Sequence, residues 1–294
     1  MLIRLGYDLQ FSTSGEVPMV TLLNVHPSRR EDLREPDDLR SDPDVRIESF
    51  TDGFGNRSCR IVAPPGGIRL RNTTLIEDSG IPDEQAPEAK ELAIEVLPVS
   101  VLQFLMNSRY CEVDLLSNTA YELFENTPRG WERVKAICDW VHSKVTFGYH
   151  FASSNRTALG VYTERVGVCR DFQHLAITFC RAMNIPARYA TGYLGDFGVP
   201  ADANPMDFSA WFEVYLEGRW WTFDARHNVP RIGRVLMATG RDATDCAITT
   251  SFGQAKLTSF QVTSDEVAAS SFAEASPAPN GDNGLATGAP EKAA

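Results

Sequence analysis

"MDFSAWFEVYLEGRWWTFDARHN", residues 206–228, decides how this chain is read. Glu217-Gly218 reads as the two-residue turn of a hairpin, with glycine supplying the positive φ such turns need. Leu216 then pairs with Arg219, and Ser209 with Arg226. Ala210, Phe212, Val214, Leu216, Trp221 and Phe223 share one face, apolar throughout, which is the core face. Ser209, Trp211, Glu213, Tyr215, Trp220, Thr222, Asp224 and Arg226 share the other. Asp224 stands opposite Trp211 and diagonal to Ser209, within reach of a long side chain. A carboxylate so placed can orient a histidine, yet position 209 holds a serine.

A second stretch supplies a nucleophile. In "RVGVCRDFQHLAITFCRAMNIPARY" the residues Phe172, Ala176, Phe179, Cys180 and Met183 recur at helical spacing, so a helix opens near Cys169. A thiol at a helix start meets unpaired backbone N–H groups and the positive end of the dipole, both of which favour thiolate. Gly167 lets the backbone turn into that helix. The plain alternative makes Cys169 the first core residue of the helix, and Cys180, further along the apolar face, is read as core. His174 lies about 140° around the helix from Cys169 and reads as a surface or interface histidine.

A cysteine nucleophile needs a base and a group that orients the base. His227 is one candidate, because Asn228 and Pro230 end the strand and allow the chain to turn His227 back toward Asp224. His150, in "TFGYHF", is another, and a site without a conventional base is the third reading. His142 reads as surface and His26 as a turn residue. Ser209 then holds a water or positions substrate. Trp211, on the loaded face, is the candidate substrate contact. Arg170 and Asp171 read as an ion pair at the helix start, and Arg226 and Arg231 either as receivers of a carboxylate or, the plainer reading, as solvated surface.

Working outward, residues 1–80 carry short strand-like runs ("IRLGYDLQF", "VPMVTLLNV", "RSCRIVAP", "GIRLRNTTLI") with "DGFGN" as a turn, the pattern of a small sandwich. Residues 81–100 read as an acidic, proline-containing linker and 101–265 as a mixed helical and β core. "TPRGWERVKAICDWVHSKV" is its clearest helix, capped by Thr127 with Pro128 in the first turn. Residues 266–294 are small, Pro/Gly-rich and read as a disordered tail.

The 294 residues carry 43% hydrophobic and 23% charged side chains and a net charge of −11. That charge argues against nucleic acid and against an anionic membrane as partners. No apolar run approaches the roughly 20 residues that span a bilayer, and the start lacks a signal peptide's apolar core, so a cytoplasmic location is expected. Six cysteines without a CxxC give neither a zinc site nor a disulfide framework. No metal and no cofactor is expected.

"GVCRDF" opening a helix, followed by "AWFEVYL" and "WWTFDAR" on paired strands, resembles the transglutaminase-like cysteine-enzyme superfamily, in its bacterial branch with an N-terminal β domain. The resemblance implies an α+β fold: a papain/transglutaminase-like core, its Cys-bearing helix packed on antiparallel sheet, beside an N-terminal β-sandwich. It places the family's Cys on Cys169 and its Asp on Asp224, while the family's His position is Ser209. It implies an enzyme acting on amide bonds of peptide or protein substrates through a Cys169 acyl-enzyme, as hydrolase or acyltransferase. Ser209 favours the alternative, a non-catalytic scaffold or peptide-binding protein.

Overall fold

The computed structural model describes residues 1–202 and 204–268. In chain order these form β1 (Leu2–Thr13), β2 (Val17–Thr21), β3 (Arg40–Asp42), β4 (Glu48–Thr51), β5 (Arg57–Ala63) and β6 (Ile68–Glu77). Next come α1 (Val99–Leu102), α2 (Val113–Phe124), α3 (Trp131–Lys144), β7 (Thr146–Phe147), α4 (Ala158–Glu164), β8 (Val166–Gly167) and α5 (Cys169–Ala182). The last are β9 (Ala187–Leu194), β10 (Ser209–Leu216), β11 (Arg219–Phe223), β12 (Arg234–Gly240), β13 (Thr249–Ser251) and β14 (Ala255–Val267).

Two antiparallel four-stranded sheets, ordered β14-β1-β6-β3 and β13-β2-β5-β4, enclose the first core. Alternation on β1 explains it: Ile3, Leu5, Tyr7, Leu9 and Phe11 all point inward and meet Met19, Ile61 and Leu70. The sandwich is therefore not built from residues 1–80 alone. The segment 249–267, expected to belong to the core or to open the tail, instead pairs with β2 and β1 and closes both sheets. Strand partners this far apart in sequence leave no local signal. Residues 269–294, read as a disordered tail, lie outside the described residues.

The second core lies between helices α2, α3 and α5 and the antiparallel sheet β11-β10-β9-β12. Trp131, Val134, Ile137, Cys138 and Val141 of α3 face inward, as their spacing predicts. That helix starts one turn later than its sequence suggests: Gly130 is the N-cap, and the Thr127 hydroxyl instead receives the Arg133 Nε–H at 3.2 Å. Helix α5 is buried nearly all round, from Asp171 to Ala182. The 81–100 segment is not a free linker. Ala89 is buried, and Asp83 accepts from the Arg231 N–H at 2.9 Å and binds the Arg234 guanidinium.

Hairpin β10–β11 has the expected register, Leu216 with Arg219 through Phe212 with Phe223, and both Glu217 and Gly218 take positive φ. One feature of the hairpin differs. Both faces of β10 are covered, so Ser209 and Trp211 on the face read as open are buried too. The neighbouring strand β9 allows this through Gly192, which pairs with Ser209 and lies under the bulge that β12 makes around Met237. A Cβ at Gly192 would stand 2.0 Å from the Val235 carbonyl oxygen and 3.0 Å from the Trp211 ring. Gly192→Ala is therefore expected to lower stability by about 1–3 kcal/mol, read as a lower urea midpoint at unchanged slope. An unchanged midpoint would show that the bulge yields freely.

Candidate active site

Cys169 is the first residue of α5, and its local chain explains why the helix begins there. Asp171, fully buried, accepts from the Val168 N–H at 3.0 Å, and its own N–H donates to the Val168 carbonyl at 2.9 Å. Arg170 and Arg156 pair with the same carboxylate at 2.9 and 3.5 Å. Gly167 matters for space: a Cβ there would meet the Asp171 Cβ at 2.6 Å. Cys169 as a residue is half-buried. Burial pushes the Cys169 thiol up to about 11, Arg226 pulls against this, Asp207 adds to it, and the Arg170 backbone N–H favours the thiolate. The pull toward thiolate expected of a helix start is thus outweighed, because desolvation exceeds what the Arg170 N–H and Arg226 return.

The Asp224 carboxylate sits just past β11 in the turn that leads away from the hairpin. Its Oδ1 accepts from Gln173 Nε2 at 3.0 Å and from the N–H groups of Arg226 and His227 at 2.9 and 3.1 Å. Oδ2 receives Arg234 Nη2 at 3.0 Å and lies 2.8 Å from His227 Nδ1. Burial alone would raise this carboxyl, but Arg234 and His227 hold it well below the ordinary carboxylate range. Asp224 is therefore ionised and can only accept, so whenever the His227 ring is neutral its Nδ1 carries the proton and Nε2 is bare. Arg234 is fixed in turn by Asp83, at 2.9 and 3.1 Å from its Nε.

Gln173 links the two halves. It stands one helical turn after Cys169, donates to Asp224 and to the Ala210 carbonyl at 3.2 Å, and accepts the Ala225 N–H at 3.1 Å. Through it the Cys-bearing helix and the Asp-bearing turn are tied side chain to backbone. Cys169, His227, Ser209, Arg226 and Tyr149 line one open cleft of about 540 Å³, which Val262–Glu266 of β14 line as well.

Among the candidates from the sequence, Cys169, Ser209 and His227 thus share a cleft, with Asp224 behind His227. Trp211 does not line it. It is 2% exposed, with the Arg234 guanidinium over its ring at 5.2 Å, so it packs the sheet and offers no surface to a substrate. His150 is exposed and outside the cleft lining, and His142 binds the Arg226 carbonyl at 2.8 Å. His174 is fully buried, accepts from the Ala243 N–H at 3.1 Å and stacks on Tyr110; burial lowers it to about 3. Arg231, read as solvated, is 5% exposed. Gln173, Arg234 and Asp83 were not singled out by sequence; a glutamine on an otherwise apolar helix face, four residues after a candidate nucleophile, is the one signal that pointed there.

Similarity to known proteins agrees with this arrangement. Residues 117–225 match the family model described as the transglutaminase-like superfamily, which ends just past Asp224. An uncharacterised protein of Mycobacterium leprae is 30% identical over 117 residues, which is 39% of this chain and 42% of that protein's length. The crystal structure of a candidate cysteine protease from Cytophaga hutchinsonii is 33% identical, with a TM-score of 0.78 and 90% of each chain covered. Among the described residues no helix is long and apolar enough to cross a membrane. With an α+β core, a Cys-bearing helix on antiparallel sheet and an added β-sandwich, the chain belongs to the transglutaminase-like superfamily.

Proposed function

We propose that the protein is a cysteine enzyme that acts on amide bonds of peptide or protein substrates, with Cys169 as nucleophile, His227 as general base and acid, and Asp224 as the residue that orients His227. The observation that carries this reading is the 2.8 Å contact of His227 Nδ1 with a buried, ionised Asp224, in a ring that lines the cleft of Cys169. The usual histidine position is a serine, and here the imidazole reaches the same carboxylate from three residues further along the chain. The scaffold alternative rested on a missing base, and His227 supplies one.

The chemistry follows from the proton positions. The Cys169 Sγ–H proton passes to His227 Nε2 as sulfur bonds to the amide carbon. The oxyanion that forms faces the backbone N–H groups at the start of α5. The imidazolium returns its proton to the leaving nitrogen, the C–N bond breaks, and a thioester remains on Cys169. Water or an amine then attacks the thioester, gives its proton to His227 and releases the thiol. Asp224 stays ionised throughout and stabilises the imidazolium. Six unpaired cysteines suit a reducing compartment such as the cytoplasm.

Activity against a fluorogenic peptide-amide library, run in parallel with incorporation of a labelled primary amine, tests the assignment. Cys169→Ala is expected to bring both to background, and His227→Ala to lower kcat by roughly 10²–10⁴-fold. Undiminished turnover in either variant would place the chemistry elsewhere.

The raised thiol gives a second expectation, in which sign matters. Unassisted, iodoacetamide alkylation of Cys169 follows the thiolate, so its rate rises about tenfold per pH unit until the pH reaches about 11. With His227 taking the proton, wild type is expected to label at pH 7.5 at least ~10-fold faster than His227→Ala, and only the variant to show the bare rise toward high pH. Superimposed profiles would mean that His227 gives the thiol no help.

A further inference from the structure

The walls of the cleft carry more negative than positive charge. Asp196, Asp202, Asp207, Asp265 and Glu266 line it, against Arg226 and Arg231. Arg231 is engaged already, 3.6 Å from Asp196 and donating to the Gly195 carbonyl at 2.9 Å. Arg226 lies flat over the Phe147 ring at 3.9 Å. Among the described residues Asp207 pairs with no cation; burial raises its carboxyl, and the Phe208 N–H is its partner. Among the described residues neither Asp265 nor Glu266 has a basic side chain within ion-pair distance, and Arg4, across the strand from Asp265, pairs with Glu35.

A second feature points to a ligand independently of charge. Ser209 and Ser264, 8% and 7% exposed, are both among the residues that line this cleft, and among the described residues neither hydroxyl has a hydrogen-bond partner. Buried polar atoms are rarely left unpaired, and two on residues that line one cleft mark a place that a polar ligand completes. A serine hydroxyl accepts from an ammonium or guanidinium group as readily as the carboxylates beside it do.

We infer that the cleft selects a peptide or protein segment carrying lysine or arginine beside the amide under attack, the cationic side chain lying between the 196–209 loop and β14. This rests on the reading of Cys169 as the nucleophile of the cleft. An anionic segment would meet a net surplus of carboxylates, and a neutral one would leave Asp207, Asp265 and Glu266 facing solvent as before.

The test uses the full chain and three blocked peptides that differ only in carrying two lysines, two alanines or two glutamates. Protection of Cys169 against iodoacetamide, read by mass spectrometry, needs no turnover; release of amine from the same peptides is followed separately. The lysyl peptide is expected to protect at ~10-fold or more lower concentration than the alanyl one, with the glutamyl peptide weakest. The gap is expected to shrink in about 1 M salt, where the screening length falls to about 3 Å. Asp207→Asn combined with Asp265→Asn and Glu266→Gln, all at exposed positions, is expected to close it. Equal protection by the three peptides, protection by none at millimolar concentration, or a glutamyl preference would overturn the inference. Lysyl-selective protection without turnover would uphold charge selection and remove the enzymatic reading, whereas turnover without lysyl preference would do the reverse.

Discussion

A buried carboxylate held in its ionised form stands at the centre of the site. Asp224 is almost inaccessible to solvent, and its charge is tolerable only because Gln173, Arg234, two backbone N–H groups and His227 converge on its two oxygens. The donors arrive from three parts of the fold: helix α5, the start of β12, and the turn after β11. The carboxylate therefore acts at once as a structural junction and as the group that sets the His227 tautomer. Removing it would leave Arg234 with Asp83 as its remaining partner and Gln173 with one fewer acceptor, so structure and chemistry fail together.

The β-sandwich contributes to the site and is more than an appendage. Strand β14 pairs along the whole of β1 and contributes Val262–Glu266 to the lining of the cleft that holds Cys169. The first core also takes in Tyr193, Val235 and Met237 from the transglutaminase-like half, so the two halves share apolar contacts. Asp83, in the segment between them, fixes Arg234. The geometry of the cleft thus depends on strand pairing between residues that are far apart in sequence.

How much of this was legible depended on how local each signal was. The hairpin turn at Glu217-Gly218, the helix opening at Cys169 and the carboxylate at Asp224 are local patterns, and the structure has the turn, the helix start and the buried carboxylate at those positions. The return of His227 was readable as one option, because Asn228 and Pro230 announce the end of a strand. The burial of Trp211 was not, since it follows from covering both faces of β10, which no alternation in that strand reveals. His174 misled for the same reason: helical angle separates faces of a helix but cannot tell an exposed face from one covered by a neighbour. The strands at 249–267, and the links from Asp83 to Arg234 and from Gln173 to Asp224, are long-range pairings without a local mark. The thiol's raised state was not legible, because the helix start is visible in sequence and desolvation is not.

The central claim is that Asp224 holds His227 with its Nε2 lone pair turned to Cys169. Nitrogen-15 NMR of the His227 ring tests it directly. The account predicts, near neutral pH, a ring protonated at Nδ1 with that proton in a strong hydrogen bond, and an Nε2 resonance that moves when Cys169 is alkylated. A ring protonated at Nε2, or an Nε2 resonance indifferent to the state of Cys169, would contradict it.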